Sequence, residues 1–116
     1  MSDLPVLAVP LLDQAAAKAI GPLVGIGGKS RNTVVGLSAL RRSRPVAYVF
    51  AAPGLSAGTL RELAGWRHDG TRVYRVESWA DLAGPIGRED ALVIGILPGT
   101  LAEGVGRRLQ DLGAGE

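Results

Sequence analysis

The chain has 116 residues, 47% of them hydrophobic and 21% charged, which is the balance of one soluble globular domain. A chain this long buries roughly 65% of its extended surface on folding, enough for one core without staples. There is no cysteine and a single histidine, His68, which excludes disulfide frameworks, thiolate sites and multi-histidine metal centres. The apolar stretch Leu4 to Leu12 is short, broken by Pro5 and Pro10 and preceded by Asp3. It reads as neither a signal peptide nor a membrane span, so a cytoplasmic domain is expected.

The net charge of +2 conceals an asymmetry. Residues 29–75 carry Lys29 and eight arginines against Glu62 and Asp69, a net +7, while residues 76–116 carry a net −4. Arginine outnumbers lysine eleven to two. Guanidinium pairs bidentately with phosphate, so a basic middle third points to a polyanionic partner.

Taken in chain order, Leu11, Leu12, Ala15, Ala16, Ala19 and Ile20 follow a helical period that Gly21-Pro22 ends. A glycine-rich segment covers residues 23–31. Asn32 then caps a helix from Thr33 to about Ser43, with Arg41, Arg42 and Arg44 at its carboxyl end and Pro45 as its stop. Val46 to Ala51 is continuous apolar sequence, read as a strand covered on both faces. Pro53-Gly54 turns the chain, and Ser56 opens a helix carrying Leu60, Leu63 and Ala64 toward His68. Thr71 to Val76 reads as a half-exposed strand nearer an edge. Ser78 with Asp81 has the form of a capping box for a short helix ending at Gly84-Pro85. Ala91 to Leu97 is a second buried strand. Thr100 with Glu103 caps a last helix whose Leu101, Val105, Leu109 and Leu112 form one stripe. This alternation predicts a three-layer α/β/α sandwich around a mixed sheet, as a single domain over residues 1–116. Residues 1–10 form an amino-terminal extension and 113–116 a frayed tail.

Two glycine patterns suggest enzymes and fail. GIGGKS at 25–30 resembles the end of a phosphate-binding loop, but Leu23 stands where that loop needs its first glycine. Gly54-Leu55-Ser56-Ala57-Gly58 matches the nucleophile-elbow pattern G-x-S-x-G. Its serine lacks a base, because His68 lies at the far end of the same helix, roughly 18 Å away at 1.5 Å per residue. Ser56 is a helix cap in this reading. No enzyme activity, cofactor or metal is expected.

From Asn32 onward, about 85 of 116 residues, the chain resembles the superfamily of ribosomal proteins L-seven-Ae and L-thirty-e, whose bacterial members include YlxQ-like proteins. The likeness rests on LSALRRSRPVAYVFAAPGLSAGTLREL (37–63), RVYRVESWADLAGPIG (72–87) and ALVIGILPGTLAEGV (91–105). It implies an L-thirty-e-like sandwich with a mixed four-stranded sheet, and a cytoplasmic partner of structured RNA, ribosomal or kink-turn-like. Kink-turn binders carry a G-x-N-E-x-x-K signature where the second helix begins, its acid reading a guanine and its lysine holding phosphate. An ungapped register places Asn32 on the glycine, Val34-Val35 on Asn-Glu and Ser38 on the lysine. Shifting by two places Thr33 on the acid and Gly36 on the lysine. Both registers lose the acid and the lysine. What the resemblance leaves is electrostatic: Lys29, Ser30, Arg31, Asn32 and Thr33 leading into a helix amino terminus, with Arg88 on a second RNA-facing loop. Two functions follow. One is an RNA-binding accessory protein of ribonucleoprotein type that grips phosphates with relaxed specificity. The other is a protein-interaction or scaffolding module that keeps the fold without the RNA site.

Overall fold

The computed structural model describes residues 9–88 and 90–113, so most of the expected amino-terminal extension and of the tail lies outside the described residues. In chain order the elements are β1 (Leu11–Leu12), α1 (Gln14–Ser30), β2 (Thr33–Val35), α2 (Leu37–Ser43), β3 (Tyr48–Ala51) and α3 (Ala57–Gly65). A 3-10 turn at Trp66–Asp69 leads to β4 (Arg72–Val76), α4 (Trp79–Ala83), a second 3-10 turn (Gly84–Ile86), β5 (Val93–Ile96) and α5 (Thr100–Asp111). The sheet is mixed and has five strands rather than four, in the order β1-β4-β3-β5-β2. β1 and β3 flank β4 in parallel, and β5 runs antiparallel to both β3 and β2.

The two continuous apolar segments behave as expected: β3 and β5 are buried at every position and lie side by side in the sheet. One face carries Tyr48, Phe50, Tyr74, Ile94 and Ile96 under α1 and α5. The other carries Val49, Val73 and Val93 under Leu40 of α2 and Leu63 and Ala64 of α3. Between them Gly95 lets Leu40 approach the sheet, because a Cβ there would overlap the leucine side chain. β4 sits one place in from the edge. Its outer neighbour is the two-residue β1, and Arg75 holds the chain before that strand through N–H to the Pro10 carbonyl (2.9 Å).

Several helix boundaries differ from the sequence reading. Leu11 and Leu12 are strand, and Asp13 caps α1 by accepting the Ala16 N–H at 2.9 Å. α1 then runs through Gly21-Pro22 and the whole glycine-rich segment to Ser30. Proline normally forces its predecessor out of helical geometry by clashing with that residue's Cβ, and Gly21 has none. The glycines have a packing role instead. A Cβ on Gly21 would overlap the Asp81 carbonyl, and one on Gly25 would come within 3.0 Å of Pro85.

The expected helix from Thr33 is strand for three residues, and α2 begins only after Gly36, whose φ of 94° favours glycine. Ser56 does cap α3, its Oγ accepting the Thr59 N–H at 3.2 Å. Ser78 and Thr100 do not cap through their side chains. Ser78 offers only its carbonyl to Asp81 N–H, and α5 starts from Gly99, whose carbonyl accepts Glu103 N–H.

Candidate nucleic-acid interface

β2 is an edge strand, and the register shows which of its peptide groups have no partner within the sheet. Leu97 N–H donates to Asn32 O and Gly36 N–H donates to Val93 O, both at 2.9 Å. Antiparallel pairing alternates, so Asn32, Val34 and Gly36 turn toward β5 while Thr33 and Val35 turn their N–H and C=O groups outward. That outward edge is one wall of a cleft of about 410 Å³, lined by Gly25, Gly28, Lys29, Thr33, Val35, Pro85, Ile86 and Arg88. The absence of side chains at Gly25 and Gly28 lets the 3-10 turn Gly84–Ile86 sit against α1 and form the opposite wall. Trp79 Nε1–H donates to the Ala91 carbonyl at 2.7 Å, which ties α4 to the far end of the loop bearing Arg88.

Lys29 and Arg88 therefore share one cleft. Lys29 projects from the last turn of α1, where the helix dipole favours a cation. Arg88 is exposed and its Nε lies 3.3 Å from Asp90 Oδ1. The other predicted residues are arranged differently. Ser30, Arg31 and Asn32 form the α1–β2 turn: Arg31 ends the helix at φ 64°, and Asn32 Nδ2 donates to Ser30 Oγ at 3.0 Å. None of them precedes a helix amino terminus, because β2 follows, so the expected phosphate site on helical amides is not formed there. Thr33 is buried and its hydroxyl donates to the Val24 carbonyl at 3.0 Å. It contributes backbone, not side chain, to the cleft.

The start of α2 at Leu37 places Arg42 on the last turn of that short helix. Arg42 is exposed and makes no ion pair among the described residues. The signal that locates it is Gly36 followed by Leu37 and Leu40.

Much of the remaining positive charge is engaged. Arg41 grips Glu62 through Nε (2.7 Å) and Nη2 (2.6 Å), and this hydrogen bonding lowers the Glu62 carboxyl below its ordinary range while raising Arg41. Arg44 lies over the Trp66 ring at 4.6 Å and reaches Asp69 at 2.6 Å. The aromatics are also committed: Tyr48, Phe50 and Tyr74 stack inside the core with centroids 6.0–6.4 Å apart. They offer no platform for bases.

No protein-family model and no curated protein matches the chain. Solved structures do. A Giardia lamblia 15.5 kDa RNA-binding protein superposes with a TM-score of 0.70 at 17% identity, covering 92% of this chain and 95% of that one. A Bacillus halodurans protein of unknown function superposes at 0.61 with 18% identity, covering 77% of this chain and 94% of its own. Identities this low establish the fold: an α/β/α sandwich similar to that of the Giardia protein. Among the described residues no helix is long and apolar enough to cross a membrane.

Proposed function

We propose that the protein binds structured RNA, chiefly through phosphates, at the β2-edge cleft, as a cytoplasmic ribonucleoprotein accessory of the L-seven-Ae/L-thirty-e type with no enzymatic role. The observation that carries this reading is the meeting of Lys29 and Arg88 in one cleft, with Arg42 exposed on the adjoining helix. The likeness in fold to an RNA-binding protein supports it. Phosphate contacts position an RNA while base contacts specify it. With α2 beginning after Gly36, the G-x-N-E-x-x-K signature of the resemblance would run from Gly36 to Arg42, with Arg42 at its lysine and Ala39 where a guanine-reading acid would be needed. Specificity for kink-turns over other structured RNAs is therefore low. The outward peptide groups of Thr33 and Val35 add neutral donors and acceptors beside the cations.

Fluorescence anisotropy against kink-turn and unrelated hairpin RNAs across a salt series tests this. Affinity falls by roughly 0.7–0.9 log units per log unit of salt for each phosphate neutralised. Lys29→Ala and Arg88→Ala each shallow the slope by about one contact and leave the ranking of RNAs unchanged. Absence of binding at low salt overturns the reading and favours the protein-interaction alternative, which draws on the engagement of Arg41 and Arg44 by carboxylates. Tight, salt-insensitive binding to a kink-turn would refute the phosphate mechanism.

A further inference from the structure

Tyr48 opens β3 with its ring in the core, stacked beside Phe50 and Tyr74, and only 7% of the residue is exposed. That packing uses the ring and not the hydroxyl. Among the described residues the hydroxyl has no hydrogen-bond partner. It reaches across to α5 at Gly106, where a Cβ would stand 2.7 Å from it. There Tyr48 and Gly106 border a cleft of about 450 Å³, a size that small-molecule sites commonly have. A hydroxyl buried to this degree is costly without a partner, and a ligand that meets it removes the cost.

The other wall of the cleft is one stripe of α5. Glu103, Gly106, Arg107 and Gln110 recur at i, i+3, i+4 and i+7 and all border it. The opposite side of α5 faces α1, where Arg108 Nη1 donates to the Ala19 carbonyl at 3.5 Å. α1 in turn presents Gly25 and Gly28 to the Lys29–Arg88 cleft, so two helices separate the two sites. Glu103, Arg107 and Gln110 make no ion pair or side-chain hydrogen bond among the described residues. Arg72 also borders the cleft but is engaged within the protein. The open groups are therefore a buried hydroxyl, a carboxylate, a guanidinium and an amide. A carboxylate among them disfavours a chain of phosphates.

We propose that this cleft binds a guanine base through Glu103, Arg107, Gln110 and the Tyr48 hydroxyl. Guanine carries two adjacent donors, N1–H and N2–H, that one carboxylate accepts together. On its next edge lie O6 and N7, two acceptors that a guanidinium meets as a pair. Glu103 and Arg107 stand one helical turn apart, with Cβ atoms about 5–6 Å from each other, and offer both partners to one ring system. Tyr48 and Gln110 each donate and accept, which suits N3 and the ribose hydroxyls. Adenine turns the lone pair of N1 toward the carboxylate and is refused. A free nucleoside and an unpaired RNA base present the same chemistry. The site does not depend on RNA binding at the β2 edge.

Isothermal titration calorimetry of the full chain with guanosine tests the site. Guanosine is expected to bind about tenfold or more tightly than adenosine or inosine, the last lacking only the N2 amine. Tyr48→Phe keeps the stacked ring and should lower guanosine affinity about three- to tenfold, the worth of one hydrogen bond. Glu103→Gln should remove the preference over inosine, and circular dichroism checks that both variants fold. Should Tyr48→Phe unfold, Glu103→Gln on the exposed stripe carries the test alone. Anisotropy with a hairpin bearing one unpaired guanosine, against the same hairpin bearing inosine, separates the two sources. Weakening of the guanosine hairpin alone by the variants assigns the site to an RNA base. Loss of guanosine affinity with unchanged hairpin binding assigns it to a free nucleoside. Equal binding of guanosine and adenosine, or no response of either ligand to the variants, overturns the site. A protein that binds guanosine and no RNA keeps this site and loses the β2-edge reading.

Discussion

Replacing helical glycines by alanine separates two roles that composition cannot distinguish. An unconstrained glycine within a helix costs about 1 kcal/mol relative to alanine. Gly104 of α5 is such a position, with no atom within 4 Å of an added Cβ. Gly104→Ala should therefore stabilise the protein by about 1 kcal/mol, or about 4 °C in Tm for a chain of this size. At Gly21 of α1 the same methyl group would overlap the Asp81 backbone carbonyl, with Pro85 at 3.4 Å behind it. A backbone carbonyl cannot rotate aside as a side chain can, so α4 must move, and overpacking of this kind costs about 1–3 kcal/mol. The helical gain offsets part of that. Gly21→Ala should fall below Gly104→Ala by about 1–3 kcal/mol in urea or thermal denaturation. Displacing α4 should also weaken RNA binding, because the following turn forms the cleft wall. Equal stabilisation by both substitutions would falsify the packing role assigned to the α1 glycines.

Other outcomes can be checked on the same apparatus. Ser56→Ala should cost about 0.5–2 kcal/mol through the lost cap, and Ser56 should resist fluorophosphonate labelling, which an acylating serine would not. Arg31→Gly should gain about 0.5–1 kcal/mol, because a left-handed residue with a Cβ is disfavoured; a loss would mean that the Arg31 side chain holds the turn. Glu62 has a folded-state pKa lowered from 4.5, chiefly by the hydrogen bond from Arg41, so its contribution is present above that value and fades as pH falls through the folded one. Glu62→Gln should flatten stability against pH in that acid range, by a small amount because the pair is solvent-exposed, and leave neutral-pH RNA binding unchanged.

The buried strands were legible because continuous apolar runs such as Tyr48–Ala51 and Val93–Ile96 have few alternatives once Pro-Gly turns bound them. The glycine-rich third was not. Gly21-Pro22 and GIGGKS carry every local sign of a helix stop and a loop, yet α1 continues because α4 and the turn after it need glycine-sized neighbours at 21, 25 and 28. A close approach between helices is a property of two segments about sixty residues apart, and neither segment alone encodes it. The same limit hid β1, whose two residues are a strand only because β4 pairs with them.

Of the candidate site, the cations that meet in one cleft could be picked out in the sequence, and their arrangement could not. Lys29 and Arg88 were readable from charge and loop position, and they do share a cleft. Asn32 was misread because an Asn-Thr step before apolar residues caps a helix or enters an edge strand equally well. Thr33 resolves the ambiguity by turning its hydroxyl to the Val24 carbonyl, which fixes it against α1. That one-strand delay moves the helix start to Leu37, after Gly36, and with it the position of Arg42 on the last turn of α2. Segment charge misleads in the other direction. The +7 of residues 29–75 already subtracts Glu62 and Asp69, but it does not say that these acids sit on Arg41 and Arg44 and so take those two guanidiniums out of the open set. Net charge therefore does not locate a phosphate site by itself; the cations that make no ion pair among the described residues do, and Lys29 at the β2-edge cleft and Arg42 on the outer turn of α2 are of that kind.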